Sequence, residues 1–310
     1  MNIYEQIKSN KIRTWFMVAF FILFFLFIGL GADYYYGLGK GIPIPVFTII
    51  AVVFGLASSY GAYRYGDRLI LSSTRARALD LSDLKQKQWQ NVIEEMSVAA
   101  GIPLPKTYII DDPDPNAFAT GRNPEHSSIA VTKGLLDALN RDELQAVAAH
   151  EMSHIKNLDI RLMLIMAVLV GSIALVSDWS GRVLFRSKSR TRNKGNAAGI
   201  ILAMWLVAVI LAPILSHVLA MFVSRRREYL ADASGAELTR NPAALASALK
   251  KIDSRVEPTR SINQGTAHLC ICDPKGRPMG LREGWAADLF ATHPPIRKRV
   301  EALEQMAYIK

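Results

Sequence analysis

The stretch Asn140-Arg141-Asp142-Glu143-Leu144-Gln145-Ala146-Val147-Ala148-Ala149-His150-Glu151-Met152-Ser153-His154 decides how this chain is read. Asn140 is a favoured helix cap, and Glu143 three positions on completes a capping-box pattern, so a helix is expected to start here. On that helix His150 and His154 lie four apart on one face, where two imidazoles can converge on one ion. Glu151, beside the first histidine, is within reach of a water at that ion, as a general base requires. Two histidines and a glutamate in this spacing on a helix point to a zinc hydrolase rather than to a solvated face with incidental histidines.

A catalytic zinc takes a third protein ligand and leaves a position open. Glu228, in Arg225-Arg226-Arg227-Glu228-Tyr229-Leu230-Ala231-Asp232, is the expected third ligand. Asp232, four residues further, is placed to orient a ligand histidine through its free ring N–H. His217 lies inside an apolar run and reads as a core histidine. Asp159, five residues beyond His154, reads either as another carboxylate behind a ligand or as a helix-end residue. One zinc per chain is expected.

Outward from the metal helix, four uncharged apolar runs organise the chain. Thr14 to Ala32 has 19 residues, and the segment between Lys40 and Arg64 has 23. Both come close to or exceed the ~20 residues that cross a bilayer core of ~30 Å. Lys8, Lys11 and Arg13 precede the first; Arg64, Arg68, Arg75 and Arg77 follow the second. The positive-inside rule then puts the N-terminus and everything from residue 64 onward in the cytoplasm. Leu162 to Ser177 is a short third run of 16 residues, and Gly195 to Ser224 a fourth of 30. The basic link between them, Arg182 to Lys194, would lie on the wrong side if both runs cross. They read either as two spans or as a hairpin that dips into the membrane or stays soluble. In either case the number of crossings is even, which keeps His150, His154 and Glu228 on one side.

The expected organisation is an N-terminal transmembrane hairpin over residues 1–66, a first catalytic part over 67–161, a hydrophobic helical hairpin over 162–224, and a second catalytic part over 225–310. Residues 84–105 read as an amphipathic helix ending at Gly101-Ile102-Pro103, and Lys106 to Asp111 as a strand. Asn116 to Thr120 and Ser127 to Thr132 read as two strands joined at Arg122-Asn123-Pro124. The fold class is α+β, a mainly helical catalytic domain with a small sheet, joined to up to four transmembrane helices.

Half of the 310 residues are hydrophobic and the net charge is +10. The excess charge flanks apolar runs and no nucleic-acid-binding motif is present, so the expected partners are a lipid bilayer and polypeptides, not nucleic acid. Cys270 and Cys272 are too few for a disulfide framework. His268-Leu269-Cys270-Ile271-Cys272 reads as a buried strand, with a second metal site as the alternative. A non-catalytic membrane scaffold or chaperone-like protein with a structural zinc is the rival reading of the whole chain. Glu151 counts against it, because a structural site needs no base.

Asn116-Ala117-Phe118-Ala119, the zinc motif, Glu228-x-x-x-Asp232 after a hydrophobic hairpin and His293-Pro294-Pro295 occur in this order. Together the set resembles the HtpX-like membrane zinc metalloproteases, relatives of the type I CAAX prenyl proteases. The resemblance covers nearly the whole chain. It implies a gluzincin, with zinc on His150, His154 and Glu228 and with Glu151 as the base. It also implies that Asn116 and its strand hold substrate backbone and that His293 faces the substrate or transition state. A multi-pass protein of the bacterial inner membrane that cleaves misfolded or damaged membrane proteins under stress is the activity it implies.

Overall fold

Two long helices open the chain, α1 (Ile3–Gly37) and α2 (Val46–Ser73). The computed structural model describes residues 3–37, 44–169, 171, 225–254, 269–272 and 294–308. Both helices are long and apolar enough to cross a membrane, and only 28% and 17% of their most apolar stretches are buried inside the protein. A soluble core helix would hide those residues. Here Trp15, Leu23, Phe27, Ile50, Val53 and Leu56 face outward, a surface that suits hydrocarbon rather than water. Among the described residues these two helices alone meet the length and apolarity needed. The fourth expected run lies outside the described residues.

The inward stripe of α1 changes character along its length. Gln6, Asn10 and Thr14 are buried near its start, and Met17, Phe21 and Phe25 continue the same face. The apolar half packs on Ala62 of α2 and on Leu162, Ile165, Met166 and Leu169. The start of the third apolar run is therefore buried between the hairpin and the rest of the protein. At the far end of the hairpin, the Asp33 carboxylate accepts hydrogen bonds from the Phe47 and Thr48 amides and the Thr48 hydroxyl, which caps α2. A Cβ on Gly29 would collide with the Thr48 backbone, so a glycine is needed for the two helices to approach this closely.

Next come β1 (Arg77–Ala78), α3 (Leu84–Ala100), β2 (Lys106–Ile110), β3 (Ala117–Gly121) and β4 (Ser127–Thr132). Asp83 caps α3, and Gly101 in the left-handed region ends it, where the sequence places the stop. The sheet order is β1-β2-β4-β3, with β2 parallel to β4 and β3 antiparallel to it. β4 has its expected bounds, and β2 and β3 fall within one residue of theirs. Alternate side chains feed two cores: Ile109, Ala119, Ile129 and Val131 face a helical core around Trp89, Val147 and Leu249, whereas Ile110, Phe118 and Ala130 face Ile70, Leu71, Met163 and Leu164. Both faces of the sheet are thus covered, one of them by the lower end of the membrane hairpin. Helix α2 runs without a break past residue 66 to Ser73.

Helix α4 (Lys133–Ala138) leads into α5 (Arg141–Lys156), and residues 159–169 form α6. The remaining described helices are α7 (Arg225–Thr239), α8 (Pro242–Asp253) and α9 (Ile296–Tyr308). Trp89, Val147, Leu249 and Leu303 meet in the core they share with α3 and α5.

Candidate metal centre

Helix α5 is fixed at its start by the expected capping box, with Asn140 and Glu143 each bonding the other's backbone amide. Glu143 also accepts from the Ser247 hydroxyl and the Lys251 ammonium of α8, both at 2.7 Å. The helix is thereby held against α8, and its far end is buried on all sides: His150, Glu151 and His154 are 0%, 1% and 5% exposed.

The Nε2 atoms of His150 and His154 lie 3.1 Å apart. Helix α7 packs along α5 at this level because residue 235 is glycine. A Cβ there would sit 3.0 Å from the His150 amide nitrogen. The approach brings a Glu228 carboxylate oxygen to 3.9 Å from His150 Nε2 and the other to 3.8 Å from His154 Nε2. A tetrahedral ion with ~2.0–2.2 Å bonds sets its ligand atoms roughly 3.3 Å apart, so these three side chains fit one zinc-sized cation. Among the described residues they are the one such group of histidine, cysteine or carboxylate side chains.

Each imidazole is held from behind by a carboxylate. Asp232 Oδ1 is 3.0 Å from His150 Nδ1, and Asp159 Oδ2 is 3.0 Å from His154 Nδ1. The first contact is out of line for a well-directed hydrogen bond. With Nδ1 turned to a carboxylate, each ring offers the Nε2 lone pair to the centre. Two lone pairs 3.1 Å apart repel unless a cation or a shared proton lies between them. Asp159 is delivered by Leu158, which sits in the left-handed region at φ 59° and turns the chain sharply between α5 and α6.

Arg299 of α9 organises the other side. Its guanidinium donates two parallel hydrogen bonds to Asp232, at 2.7 and 2.8 Å, and a third to the Ile271 carbonyl at 2.9 Å. It also lies 3.7 Å from Glu228. Arg227 stands 3.7 Å from Asp159. Four carboxylates that are at most 3% exposed (Glu151, Asp159, Glu228 and Asp232) thus face two buried guanidiniums. The excess negative charge favours a cation at the imidazoles.

These neighbours shift the titration of the site. Burial pushes the Glu151 carboxyl up to about 7 and the Glu228 charge adds to this, against the His154 charge. Burial opposes charge on His154, but Asp159 and Glu228 outweigh it and raise the imidazole to about 9. Burial lowers His150 despite Asp232. Burial would raise Asp232, yet the Arg299 charge and hydrogen bonds hold it down at about 2.

Of the residues singled out in the sequence, the structure gathers His150, Glu151, His154, Asp159, Glu228 and Asp232. Asn116 lies just before β3, buried, with its amide donating to the Cys272 carbonyl and its oxygen accepting from the Ala117 amide. His293 and His268 lie outside the described residues. The segment 269–272 is bent rather than a strand, because one backbone bond alone, Ile271 to the Ala117 carbonyl, ties it to β3. Cys270 faces the sheet core beside Phe118, whereas Cys272 faces the helical core. The two thiols therefore lie in different cores rather than together.

Arg299, Arg227, Gly235 and Asn10 escaped the sequence reading. Arg299 carried a signal: it shares the inward face of an amphipathic helix with Val300 and Leu303.

A profile of peptidase family M48 matches residues 83–307. The chain is 45% identical over 305 residues to a protein from Dictyoglomus turgidum named "Protease HtpX homolog", covering 98% of this chain and 94% of that one. A protein of the same name from Streptococcus gordonii is 38% identical over 308 residues, covering 98% and 100%. Among solved structures, the crystal structure of S. mikatae Ste24p is similar with a TM-score of 0.51 at 17% identity. The match covers 96% of this chain and 66% of that longer one, and at this identity it speaks for the fold.

Proposed function

The chain belongs to peptidase family M48, and on that premise we propose that it uses one zinc ion, held by His150, His154 and Glu228, to cleave polypeptides at the cytoplasmic face of a bacterial inner membrane. That it is a membrane metalloprotease follows from its family, its relatives and its two apolar helices. The observation that carries the zinc assignment is the pair of Nε2 atoms 3.1 Å apart, each ring backed by a carboxylate at 3.0 Å, with Glu228 closing the third side.

A zinc ion there would supply Lewis acidity, polarising a scissile carbonyl and lowering the pKa of a water. The protein supplies the proton handling. With a value about 7, Glu151 is poised to take a proton from the attacking water and return it to the leaving amine. Glu151 lies beside the Ala119 backbone of β3. Asp232 and Asp159 hold the two imidazoles, and Arg299 holds Asp232.

β3 is an edge strand of the described sheet and passes Glu151 at Ala119. Both features support an extended peptide lying alongside it. Asn116 would shape that groove by holding segment 269–272 against the start of β3, and the resemblance assigns His293 to the substrate side. Misfolded or damaged membrane proteins as substrates, and a role under stress, rest on the resemblance as well.

The test is cleavage of an unfolded protein such as casein by the purified full-length chain, with and without a chelator, beside Glu151→Ala. The variant should keep about one zinc per chain and lose roughly 10²–10⁴-fold in rate. Normal cleavage by Glu151→Ala would remove this mechanism and leave the structural-zinc scaffold as the better reading.

A further inference from the structure

The N-terminal membrane helix touches the metal centre. Asn10 on α1 is 2% exposed, and its side-chain nitrogen donates to Asp159 Oδ1 at 2.7 Å and to the Asn157 carbonyl at 2.9 Å. Both partners are acceptors, so the NH₂ end of the amide must face them, and both of its N–H groups are used. The other oxygen of Asp159 holds His154 Nδ1. A relay of three side chains therefore runs from α1 to a metal-ligating ring. Without Asn10, the next group to Asp159 Oδ1 is Arg227 at 3.7 Å, too long for a hydrogen bond.

We propose that Asn10 is a positioning residue of the metal centre: from the membrane-spanning helix it orients Asp159, which orients His154. The inference rests on the zinc reading above. The plainer explanation is that Asn10 merely satisfies the start of a membrane helix. Thr14, on the same stripe, does behave that way and donates to the Asn10 carbonyl within its own helix. Asn10 instead spends both donors on the turn that carries Asp159. That turn contains the left-handed Leu158, a conformation a β-carbon disfavours. Asn10 binds this turn on both sides of Leu158, through the Asn157 carbonyl and the Asp159 carboxylate.

Groups that support a metal-ligating histidine typically change metal affinity or activity 10–100-fold when removed, and one step further out the low end applies. The experiment uses the full-length protein in detergent micelles and compares wild type, Asn10→Leu, Asn10→Asp, Thr14→Val and His154→Ala. Zinc affinity is read by competition with a chromophoric chelator, kcat and KM with a quenched peptide, and folding by thermal melting.

Asn10→Leu, which keeps an apolar helix apolar, should bind zinc about tenfold more weakly and lower kcat with KM within about twofold. Asn10→Asp keeps the shape but sets a carboxylate against Asp159, and should weaken zinc more than Asn10→Leu. Thr14→Val should stay within about twofold of wild type in both readings. Zinc affinity at the wild-type level in either folded Asn10 variant overturns the inference, as does an equal loss in Thr14→Val. Undiminished zinc binding by His154→Ala would instead overturn the metal-centre reading on which it rests.

Discussion

Arg299→Met removes a buried cation of nearly matched length from a site that depends on its fork. The guanidinium is 0% exposed and makes three hydrogen bonds of 2.7–2.9 Å, two of them to Asp232. Its loss leaves Asp232 without its counter-charge, beside the His150 imidazole alone, and the Ile271 carbonyl without its donor. Breaking a buried pair by removing one partner costs about 3–5 kcal/mol. For a chain of this size that is a fall in melting temperature of roughly 5–8 °C. Arg299→Lys keeps the charge but cannot serve both Asp232 oxygens and the carbonyl, so about half the loss is expected. The sign with pH is also fixed. Without the guanidinium, burial governs Asp232 and lifts its pKa above the ordinary carboxylate value. A folded-state pKa above the unfolded one means that the penalty grows as pH rises through that range and shrinks toward pH 4. The assay is thermal melting of the metal-free protein in detergent at pH 4.5 and pH 8. A change below about 1 kcal/mol for Arg299→Met, or a larger loss at the lower pH, would refute the assignment of Arg299 as the counter-charge of this site.

Glu228→Ala should reduce zinc content from about one per chain to near zero in metal analysis of dialysed protein; retention of stoichiometric zinc would hand its role to another carboxylate. Zinc uptake at pH 7 should release a proton from His154, whose imidazole is charged below about 9, so affinity should climb about tenfold per pH unit toward that value and then level off. Calorimetry in two buffers of different ionisation enthalpy counts the proton. Gly235→Val forces α7 away from the His150 backbone and should weaken zinc binding while leaving helical content by circular dichroism unchanged. Gly29→Leu collides with the Thr48 backbone and should separate α1 from α2, seen as loss of a cysteine cross-link engineered between them.

How much of this was legible depended on the kind of signal. The capping box at Asn140 and Glu143, the stop at Gly101 and the four-residue spacing of His150 and His154 are local patterns, and local geometry delivers them. Glu228 and Asp232 were legible because they too sit one helical turn apart, although α7 finds α5 only through Gly235. Arg299 and Asn10 act across 67 and 149 residues of sequence, on Asp232 and Asp159. No periodicity links such partners. A basic residue in the charged run Arg297-Lys298-Arg299 reads as solvated, as its neighbour Arg297 is. The bent segment 269–272 misled for a related reason: its alternation suits a strand, but one bridge to Ala117 is too little pairing to make one.

The stripe on α1 that passes from amide and hydroxyl groups to aromatic ones also sets a height. Asn10, bonded beside a metal-ligating ring, precedes Thr14, where the uncharged run begins, by one helical turn, or ~6 Å along the axis. The candidate metal centre is thereby set a short, fixed distance from the start of the apolar part of α1. On the proposed function, an extended segment close to the bilayer would reach this centre before one far from it, so height above the membrane would select substrates ahead of their sequence.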